Sequence, residues 1–370
     1  MSYRVIQWTT GNVGAYALSG IINHAELELV GLFAHSQDKQ GRDAGDLCAY
    51  QKPTGVLATS DIDGLLALKP DCICYTTNHN FNPGYVDDMC RMLEAGINVV
   101  SSANPSLNYP AAPLNKDIVE RLEQACQRGQ TTLMTSGIDP GASGDIFPIA
   151  LAGLSERVDS IRITEMMNYA GYPDPDYTGW AFGFARPMDF KPPLAKKNAL
   201  IATWGAMTYL MADAMGVEVE EIREVYERSE ATEPLETLMG NVEPGQCDGV
   251  HFQLQGIVNG EPLIITEHVN RLRPTTEHDD WPTMSDGSDT GYRIEIKGQP
   301  NFLMEINMEA ESGNHTDAGT MASAMRIVNA IPAVCASTPG VKSVLDLPLF
   351  SAHGHSGKDL PSAGAVKQSR

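Results

Sequence analysis

Apolar and polar residues alternate in two different patterns along this chain. Up to about residue 145, short apolar runs alternate with stretches of helical periodicity. The runs predict strands over 3–8, 28–34, 70–77, 97–102 and 131–135, and the periodic stretches predict helices over 15–22, 84–95 and 116–127. Buried strands that alternate with helices are typical of βαβ units. This part of the sequence therefore predicts an α/β fold with a Rossmann-type parallel sheet.

After Leu154 the strands change character. Residues 160–167 and 253–257 alternate apolar and polar side chains, which is typical of mixed or antiparallel sheets with one covered face. Further strands are predicted over 264–271, 291–298 and 302–308, and a helix with a buried face over 318–333. At 370 residues the chain exceeds the size of a single core. We predict a dinucleotide-binding domain over 1–145 with 318–350 packing back on it, a central α+β domain over 146–317, and a flexible tail over 351–370.

The turn after the first predicted strand has the composition of a nucleotide-binding loop. It comprises Thr9, Thr10, Gly11, Asn12, Val13 and Gly14, and a helical pattern follows it directly. In such a turn Gly11 allows the backbone to approach a pyrophosphate, and Gly14 allows the helix to pack closely on the strand. Thr9 stands where the G-x-G-x-x-G pattern has its first glycine. We predict dinucleotide binding, and a coincidental strand-turn-helix is the alternative.

The end of the second predicted strand indicates which dinucleotide binds. A site specific for NAD places a carboxylate there to bind the ribose 2′-hydroxyl. This chain has His35, Ser36, Lys39 and Arg42 instead. Hydrogen-bond donors and cations suit a 2′-phosphate, so NADP is the predicted cofactor. Asp38 lies in the same segment and leaves NAD, or use of both, open.

Polar residues also follow the later strands of the first domain. Ligands of open α/β sheets bind outside the carboxyl ends of the strands, so these residues are further candidates for cofactor contacts. They are Thr76, Thr77, Asn78, Ser101 and Ser102. Each one taken alone is equally consistent with a helix cap or a turn. Their recurrence after successive strands favours a shared ligand.

Composition narrows the functional class. A net charge of −21 opposes binding to nucleic acid and to anionic membranes. No apolar run reaches the roughly 18 residues that span a bilayer, and no signal-type leader precedes the first strand. The seven cysteines match neither a disulfide framework nor a metal-binding pattern, and the histidines lack ligand spacing. We expect a cytoplasmic protein with a small-molecule substrate and no metal.

Three segments together resemble a known family. They are residues 5–14, the loop over 32–47, and residues 326–332. The chain is similar to the dihydrodipicolinate reductase-like superfamily, and within it to the branch of 2,4-diaminopentanoate dehydrogenase and the native amine dehydrogenases. The resemblance implies a Rossmann domain completed by the last long helix, a central domain that forms a homodimer, and an active site in the cleft between the domains. It also implies hydride transfer from nicotinamide to a C=N or C=O carbon.

One departure from the family concerns proton chemistry. Amine dehydrogenases of this branch resemble one another in a Thr-Thr-x-Glu type segment whose carboxylate handles ammonia or the iminium. This chain has Asn104 there, which can hold a carbonyl oxygen but cannot take a proton. The aromatic segment 169–180 either folds onto its own domain or lines a ligand pocket, and it offers Tyr169, Tyr172 and Tyr177 as proton donors. Glu165, Glu267 and His268 are further candidates, and for Glu165 and His268 a structural role is the simpler interpretation. We favour the tyrosines because their segment could close over the cleft.

The sequence thus predicts an NAD(P)H-dependent oxidoreductase that is similar to amine dehydrogenases and acts on a small to medium apolar substrate. Two alternatives stay open. One is a carbonyl reductase that does not use ammonia, because the family carboxylate is missing. The other is an NADP-binding sensor without turnover, because retained cofactor loops without a catalytic acid would have the same sequence features.

Overall fold

A computed structural model describes residues 2–78, 82–172, 175–273 and 280–352, with only the backbone for 175–177. The strands are β1 Tyr3–Trp8, β2 Leu27–Phe33, β3 Ala58–Thr59, β4 Cys72–Tyr75, β5 Asn98–Ser101, β6 Thr132–Thr135, β7 Arg157–Asn168, β8 Glu221–Glu230, β9 Leu235–Thr237, β10 Gly240–Val242, β11 Cys247–Val258, β12 Glu261–Arg271, β13 Gly291–Gln299, β14 Phe302–Ile306 and β15 Gly340–Lys342. The α-helices are α1 Asn12–Asn23, α2 Ile62–Ala67, α3 Tyr85–Glu94, α4 Lys116–Gly129, α5 Ile146–Ala152, α6 Pro175–Ala181, α7 Ala199–Met215, α8 His315–Val328 and α9 Ile331–Cys335.

The chain forms two compact units. The first comprises the residues up to Ala142, residues 310–313 and the described residues from Asp317 onward. The second comprises Ser143–Glu309 and Asn314–Thr316. Of the predicted tail, residues 353–370 lie outside the described residues. No helix in the described ranges is long and apolar enough to cross a membrane.

The first unit contains a parallel sheet of seven strands in the order β15-β6-β5-β4-β1-β2-β3. The chain builds outward from β1 through β2 to β3, and then returns to the other side of β1 with β4 and β5. The carboxyl ends of β1 and β4 therefore border the point at which the strand order reverses. Ligands of such sheets bind at this switch point. The prediction of a Rossmann-type sheet is confirmed.

Helices cover both faces of this sheet. On one face α3 and α4 bury residues such as Met89, Leu93 and Leu122 against the strands. On the other face α1 packs together with α8 and α9, through a core that includes Ile21 and Ile327. The C-terminal part of the chain thus completes the Rossmann unit, as predicted.

The predicted helix over 318–333 is two helices in the structure. α8 ends at Val328 and α9 begins at Ile331. Pro332 lies in the first turn of α9, where its missing N–H would have no partner in any case. Within one continuous helix the same ring would clash with the preceding turn, so the prediction of a single helix was wrong.

The second unit contains a mixed sheet of six strands in the order β14-β13-β7-β12-β11-β8. β7 and β12 run parallel, and the other pairs are antiparallel. Helix α7 packs on one face of this sheet, where Trp204, Met207 and Met211 join its core. The sequence did not reveal α7 because Ala199–Met215 is apolar on almost every side and therefore has no periodic polar face.

Candidate functional site

The structure brings the predicted cofactor residues together along one edge of the first unit's sheet. The ends of β2, β1, β4 and β5 lie side by side there. The residues that follow these strands comprise Thr9 to Gly14 after β1, His35, Ser36, Lys39 and Arg42 after β2, Thr76, Thr77 and Asn78 after β4, and Ser101 and Ser102 at the end of β5. Sequence spacing had suggested this grouping, and the parallel sheet produces it because all these strands point the same way.

Hydrogen bonds hold the turn after β1 in place. Gln7 is fully buried, and its side-chain amide donates to the Thr9 carbonyl at 2.8 Å and to the Thr76 hydroxyl at 2.9 Å. The Thr76 hydroxyl in turn donates to the Trp8 carbonyl at 2.9 Å. Sequence reasoning missed Gln7, although a single polar residue within the apolar run 5–8 was a signal that it has a buried partner.

Thr9 adopts a backbone conformation that favours glycine, with φ at +74°. A β-branched residue there costs of order 1–3 kcal/mol. We expect Thr9→Gly to raise the free energy of unfolding by about 1 kcal/mol, after allowing for the greater freedom of glycine in the unfolded chain. Thr10→Gly is the matched control and should lower it by a similar amount. Thermal unfolding of both variants tests this, and equal destabilisation would contradict the argument.

The two glycines of the turn serve different purposes. A Cβ atom on Gly14 would lie 2.5 Å from the Thr9 carbonyl oxygen and 2.7 Å from the Thr76 hydroxyl oxygen. A Cβ atom on Gly11 would meet no protein atom within 4 Å. Gly11 is also the N-cap residue of α1, and as a glycine it has no side chain to bond the first N–H groups of the helix. The turn therefore has a tightly packed base and an open rim of backbone N–H groups, which fits a pyrophosphate.

Lys39 reaches from the segment after β2 to this turn. Its ammonium group donates to the Thr10 carbonyl at 3.2 Å and to the Thr10 hydroxyl at 3.0 Å. The guanidinium of Arg42 donates instead to the Asp46 carbonyl at 3.2 Å. His35 and Ser36 of the same segment are exposed, and no carboxylate follows β2 before Asp38. A positive charge held at this position suits a phosphate.

The remaining predicted residues of this edge vary in exposure. Thr77 is buried and Asn78 is exposed, directly after β4. The Ser101 hydroxyl is fully buried and accepts a hydrogen bond from the Ala103 N–H at 2.9 Å. Ser102 is half-buried, and its N–H donates to the Tyr75 carbonyl. Ser101 thus shapes the turn after β5, while Asn78 and Ser102 lie closer to the surface.

The Asn104 side chain is bound within its own segment. Its amide group donates to the Tyr85 hydroxyl at 2.8 Å. Its carbonyl oxygen accepts from the Ser106 N–H at 3.1 Å and from the Ser106 hydroxyl at 2.8 Å. Asn104 thereby caps the short 3₁₀ turn Pro105–Asn108. These three bonds account for most of the amide's capacity, which gives Asn104 a structural role in the described residues.

The predicted tyrosines lie in an aromatic cluster of the second unit. The Tyr169 ring lies 5.4 Å from that of Tyr172 and 5.6 Å from that of Phe182, measured between centroids. Tyr169 also packs against the apolar core beside α7. Tyr169 thus folds onto its own unit, and the second half of the segment is helix α6. The Tyr177 side chain lies outside the described residues.

Two buried carboxylates stand on adjacent strands of the second unit, on opposite faces of the sheet. Glu165 of β7 is in register with His268 of β12, and Glu267 of β12 is in register with Thr164 of β7. Successive side chains of a strand point to opposite faces. Glu165 therefore shares the face that α7 covers, and Glu267 points away from it.

Glu267 belongs to a network of charges. Its carboxylate accepts from Arg162 and from the Thr164 hydroxyl, each at 2.8 Å, and lies 3.0 Å from the His251 ring. Burial alone would raise the pKa of Glu267, but these hydrogen bonds and the Arg162 charge outweigh it and hold the pKa at about 2. Burial alone would lower the pKa of His251, but its bonds to Glu267 and Glu227 raise it above the ordinary 6.5.

This network makes stability depend on pH. The lowered pKa of Glu267 stabilises the fold above about 4.5, and this contribution is lost as the pH falls towards about 2. The raised pKa of His251 stabilises it below 6.5, and that contribution is lost as the pH rises through the folded-state pKa. Glu267→Gln should therefore lower the free energy of unfolding most between pH 4.5 and 6.5, by about 3 kcal/mol. Urea unfolding of both proteins across pH 2–9 tests this, and a pH-independent difference would contradict it.

Glu165 has a different set of partners. One carboxylate oxygen lies 3.2 Å from Nδ1 of His268, and the other accepts from the Tyr292 hydroxyl at 3.1 Å. His268 is stacked on Phe252 with 4.5 Å between ring centroids, and Trp204 of α7 lies 4.8 Å from it. The Glu165 side chain is 9% exposed to solvent, and that of Glu267 is 1% exposed. Sequence reasoning named Glu165 and His268 but not Tyr292, which comes from another strand.

The chain matches known proteins over both units. Residues 145–361 match the model of the 2,4-diaminopentanoate dehydrogenase C-terminal domain. An amine dehydrogenase of Streptomyces virginiae is 35% identical over 356 residues, which cover 95% of this chain and 98% of that protein.

This chain belongs to the amine dehydrogenase family. A 2,4-diaminopentanoate dehydrogenase of Acetoanaerobium sticklandii is 24% identical and covers 75% of the chain and 74% of its own length. The solved amine dehydrogenase of Mycobacterium smegmatis has the same fold, with a TM-score of 0.76 at 20% identity over 95% of this chain and 97% of its own. The prediction of an NAD(P)-dependent oxidoreductase of the amine dehydrogenase type is confirmed.

Proposed function

We propose that this protein catalyses the NADPH-dependent reductive amination of a small to medium apolar aldehyde or ketone. The observation that carries the proposal is the turn after β1, with Lys39 fixed on Thr10 at its rim. The 35% identical amine dehydrogenase supports the amine chemistry. The buried aromatic surroundings of Glu165 and His268 support an apolar substrate with one polar group.

The chain's own residues would bind the cofactor as follows. Backbone N–H groups of the turn from Thr9 to Gly14 would hold the pyrophosphate, and Lys39 with Ser36 and His35 would hold the 2′-phosphate. Residues after β4 and β5 would border the rest of the dinucleotide; they are Thr76, Thr77, Asn78, Ser101 and Ser102. When bound, a reduced nicotinamide supplies one hydride. Catalytic roles for Asn104, Tyr169, Tyr172 and Tyr177 stay predictions.

Two further parts of the proposal concern the protein in the cell. All seven cysteines are unpaired, which supports a reducing compartment and hence the cytoplasm. A homodimer is what the family resemblance implies. Light scattering after size-exclusion chromatography tests it: about twice the chain mass of 40.0 kDa supports the dimer, and the chain mass refutes it.

The function is tested by NADPH oxidation at saturating cofactor. A panel of apolar aldehydes and ketones is offered with and without excess ammonium, after NADPH and NADH binding have been measured by fluorescence. Turnover that requires ammonium, with an amine as product, supports the proposal. Turnover without ammonium would identify a carbonyl reductase, for which the locally bound Asn104 is the supporting observation. Binding without any turnover would favour a sensor.

A further inference from the structure

Glu165, His268 and Tyr292 form a buried group of proton-handling side chains on the α7 face of the second unit's sheet. The three residues come from three neighbouring strands, β7, β12 and β13. We propose that Glu165 is the carboxylate that handles the proton of ammonium during amination, and that His268 and Tyr292 position it. This inference rests on the proposed function, and it assigns to Glu165 the role for which the family segment at residue 104 provides no acid.

The geometry leaves Glu165 able to take a ligand. Each carboxylate oxygen has one partner among the described residues, His268 for Oε1 and Tyr292 for Oε2. A carboxylate oxygen has two lone pairs, so each keeps capacity for another donor such as an N–H of ammonium or of an iminium. The two partners fix the orientation of the carboxylate, which a proton-transfer group needs.

A second observation on the same face also indicates a polar ligand. Asn270 follows His268 by two residues on β12, so the two side chains point to the same face. Asn270 is fully buried, and neither polar atom of its side chain has a hydrogen-bond partner within the described ranges. A buried amide without hydrogen-bond partners is unfavourable and needs an explanation. A substrate with a polar head and an apolar body would satisfy Asn270 and pack on Trp204 and Phe252.

Glu267 and Asn104, which sequence analysis also named as candidates, are less suited to the role. Glu267 is bound to Arg162, Thr164 and His251 on the opposite face, where it stays ionised near neutral pH. A carboxylate with so low a pKa is a poor proton carrier. Asn104 has no ionisable proton and is bound to Tyr85 and Ser106. Glu165 lacks an arginine or lysine partner among the described residues, so its carboxylate is available to a cationic substrate.

The proposed proton path balances for the whole reaction. The Glu165 carboxylate takes one proton from ammonium, and the ammonia released adds to the carbonyl carbon to give a carbinolamine. Glu165 returns that proton to the departing hydroxyl, the C–O bond breaks, and water and an iminium result. A bound reduced nicotinamide would supply the hydride to the iminium carbon, and the amine gains one proton from solvent. In sum, carbonyl, ammonium, NADPH and one proton give an alkylammonium ion, water and NADP⁺.

The test compares Glu165→Gln with wild type on two substrates. The first is a ketone or aldehyde with ammonium, and the second is a cyclic imine, which needs neither ammonia activation nor loss of water. With the first, kcat/KM for ammonium should fall about 100- to 10,000-fold. With the cyclic imine, the loss should stay below about tenfold, and the Kd for NADPH should stay within about threefold because the cofactor residues are untouched. Glu267→Gln makes the same chemical change on the other face and is the matched control. Its kcat/KM for ammonium, calculated for the folded fraction of the protein, should stay within about threefold of wild type.

The outcomes separate the two proposals. Wild-type protein without ammonium-dependent turnover refutes the proposed function. If wild type aminates and E165Q keeps this activity within about threefold, the role of Glu165 is overturned and the proposed function stands. The same holds if E165Q loses activity equally on both substrates while NADPH binding is intact. If E165Q fails to bind NADPH, the variant Tyr292→Phe tests the role of Glu165 instead. It keeps the carboxylate and the ring, and should lower kcat/KM for ammonium about tenfold without affecting the cyclic imine; an unchanged value would overturn the assignment.

Discussion

Alanine in place of Gly14 is expected to lower the free energy of unfolding by about 2 kcal/mol and to abolish dinucleotide binding. The added Cβ atom would lie 2.5 Å from the Thr9 carbonyl oxygen and 2.7 Å from the Thr76 hydroxyl oxygen. Neither atom can withdraw easily, because Gln7 bonds to both residues. Helix α1 must therefore move away from β1, and the N–H groups of the turn move with it. Thermal unfolding and NADPH titration measure the two effects.

Gly11→Ala is the matched control for this prediction. Its Cβ atom meets no protein atom within 4 Å, and its φ of −71° is open to alanine. The stability should stay within about 0.5 kcal/mol of wild type. NADPH binding should still weaken, because a methyl group at the rim hinders close approach of a pyrophosphate to the backbone. Similar stability losses in both variants would contradict the packing role of Gly14.

Removal of the Lys39 ammonium group by Lys39→Ala should weaken NADPH binding about 10- to 100-fold and change NADH binding less than about threefold. Charge-assisted hydrogen bonds to a phosphate contribute roughly 1.5–3 kcal/mol, and 1.4 kcal/mol corresponds to a factor of ten. Of the two cofactors, only NADPH has a 2′-phosphate that can interact with this charge. Fluorescence titration of both cofactors at one ionic strength makes the comparison.

Arg42→Ala removes the same charge three residues further on. Its guanidinium is bound to the Asp46 carbonyl, so the loss in NADPH affinity should be smaller than for Lys39→Ala. A Lys39 variant that loses NADPH and NADH equally would show that the lysine merely braces the Thr10 turn. In that case NADP preference would be wrong, while dinucleotide binding would stand.

Local patterns predicted the elements of the first unit well. The predicted strand over 3–8 coincides with β1, and the strands over 28–34 and 97–102 differ from β2 and β5 by one residue at each end. Buried parallel strands are continuous apolar runs, which stand out in a sequence. Two helices were harder to recognise, α7 in the second unit and α9 in the first. Helix α7 is apolar almost all round, and the break before α9 depends on where Pro332 falls in a turn.

The sequence by itself determined the main alternation of strands and helices in the first unit, the glycine turn and the polar residues that follow its strands. These features depend on neighbouring residues, and local physical chemistry is enough to recognise them. The tertiary structure alone decided which buried carboxylate is available. Glu165 and Glu267 have similar sequence surroundings, but the sheet register places one beside His268 and Tyr292 and the other beside Arg162 and His251. Partners more than 100 residues apart are set by strand pairing, which no local pattern specifies.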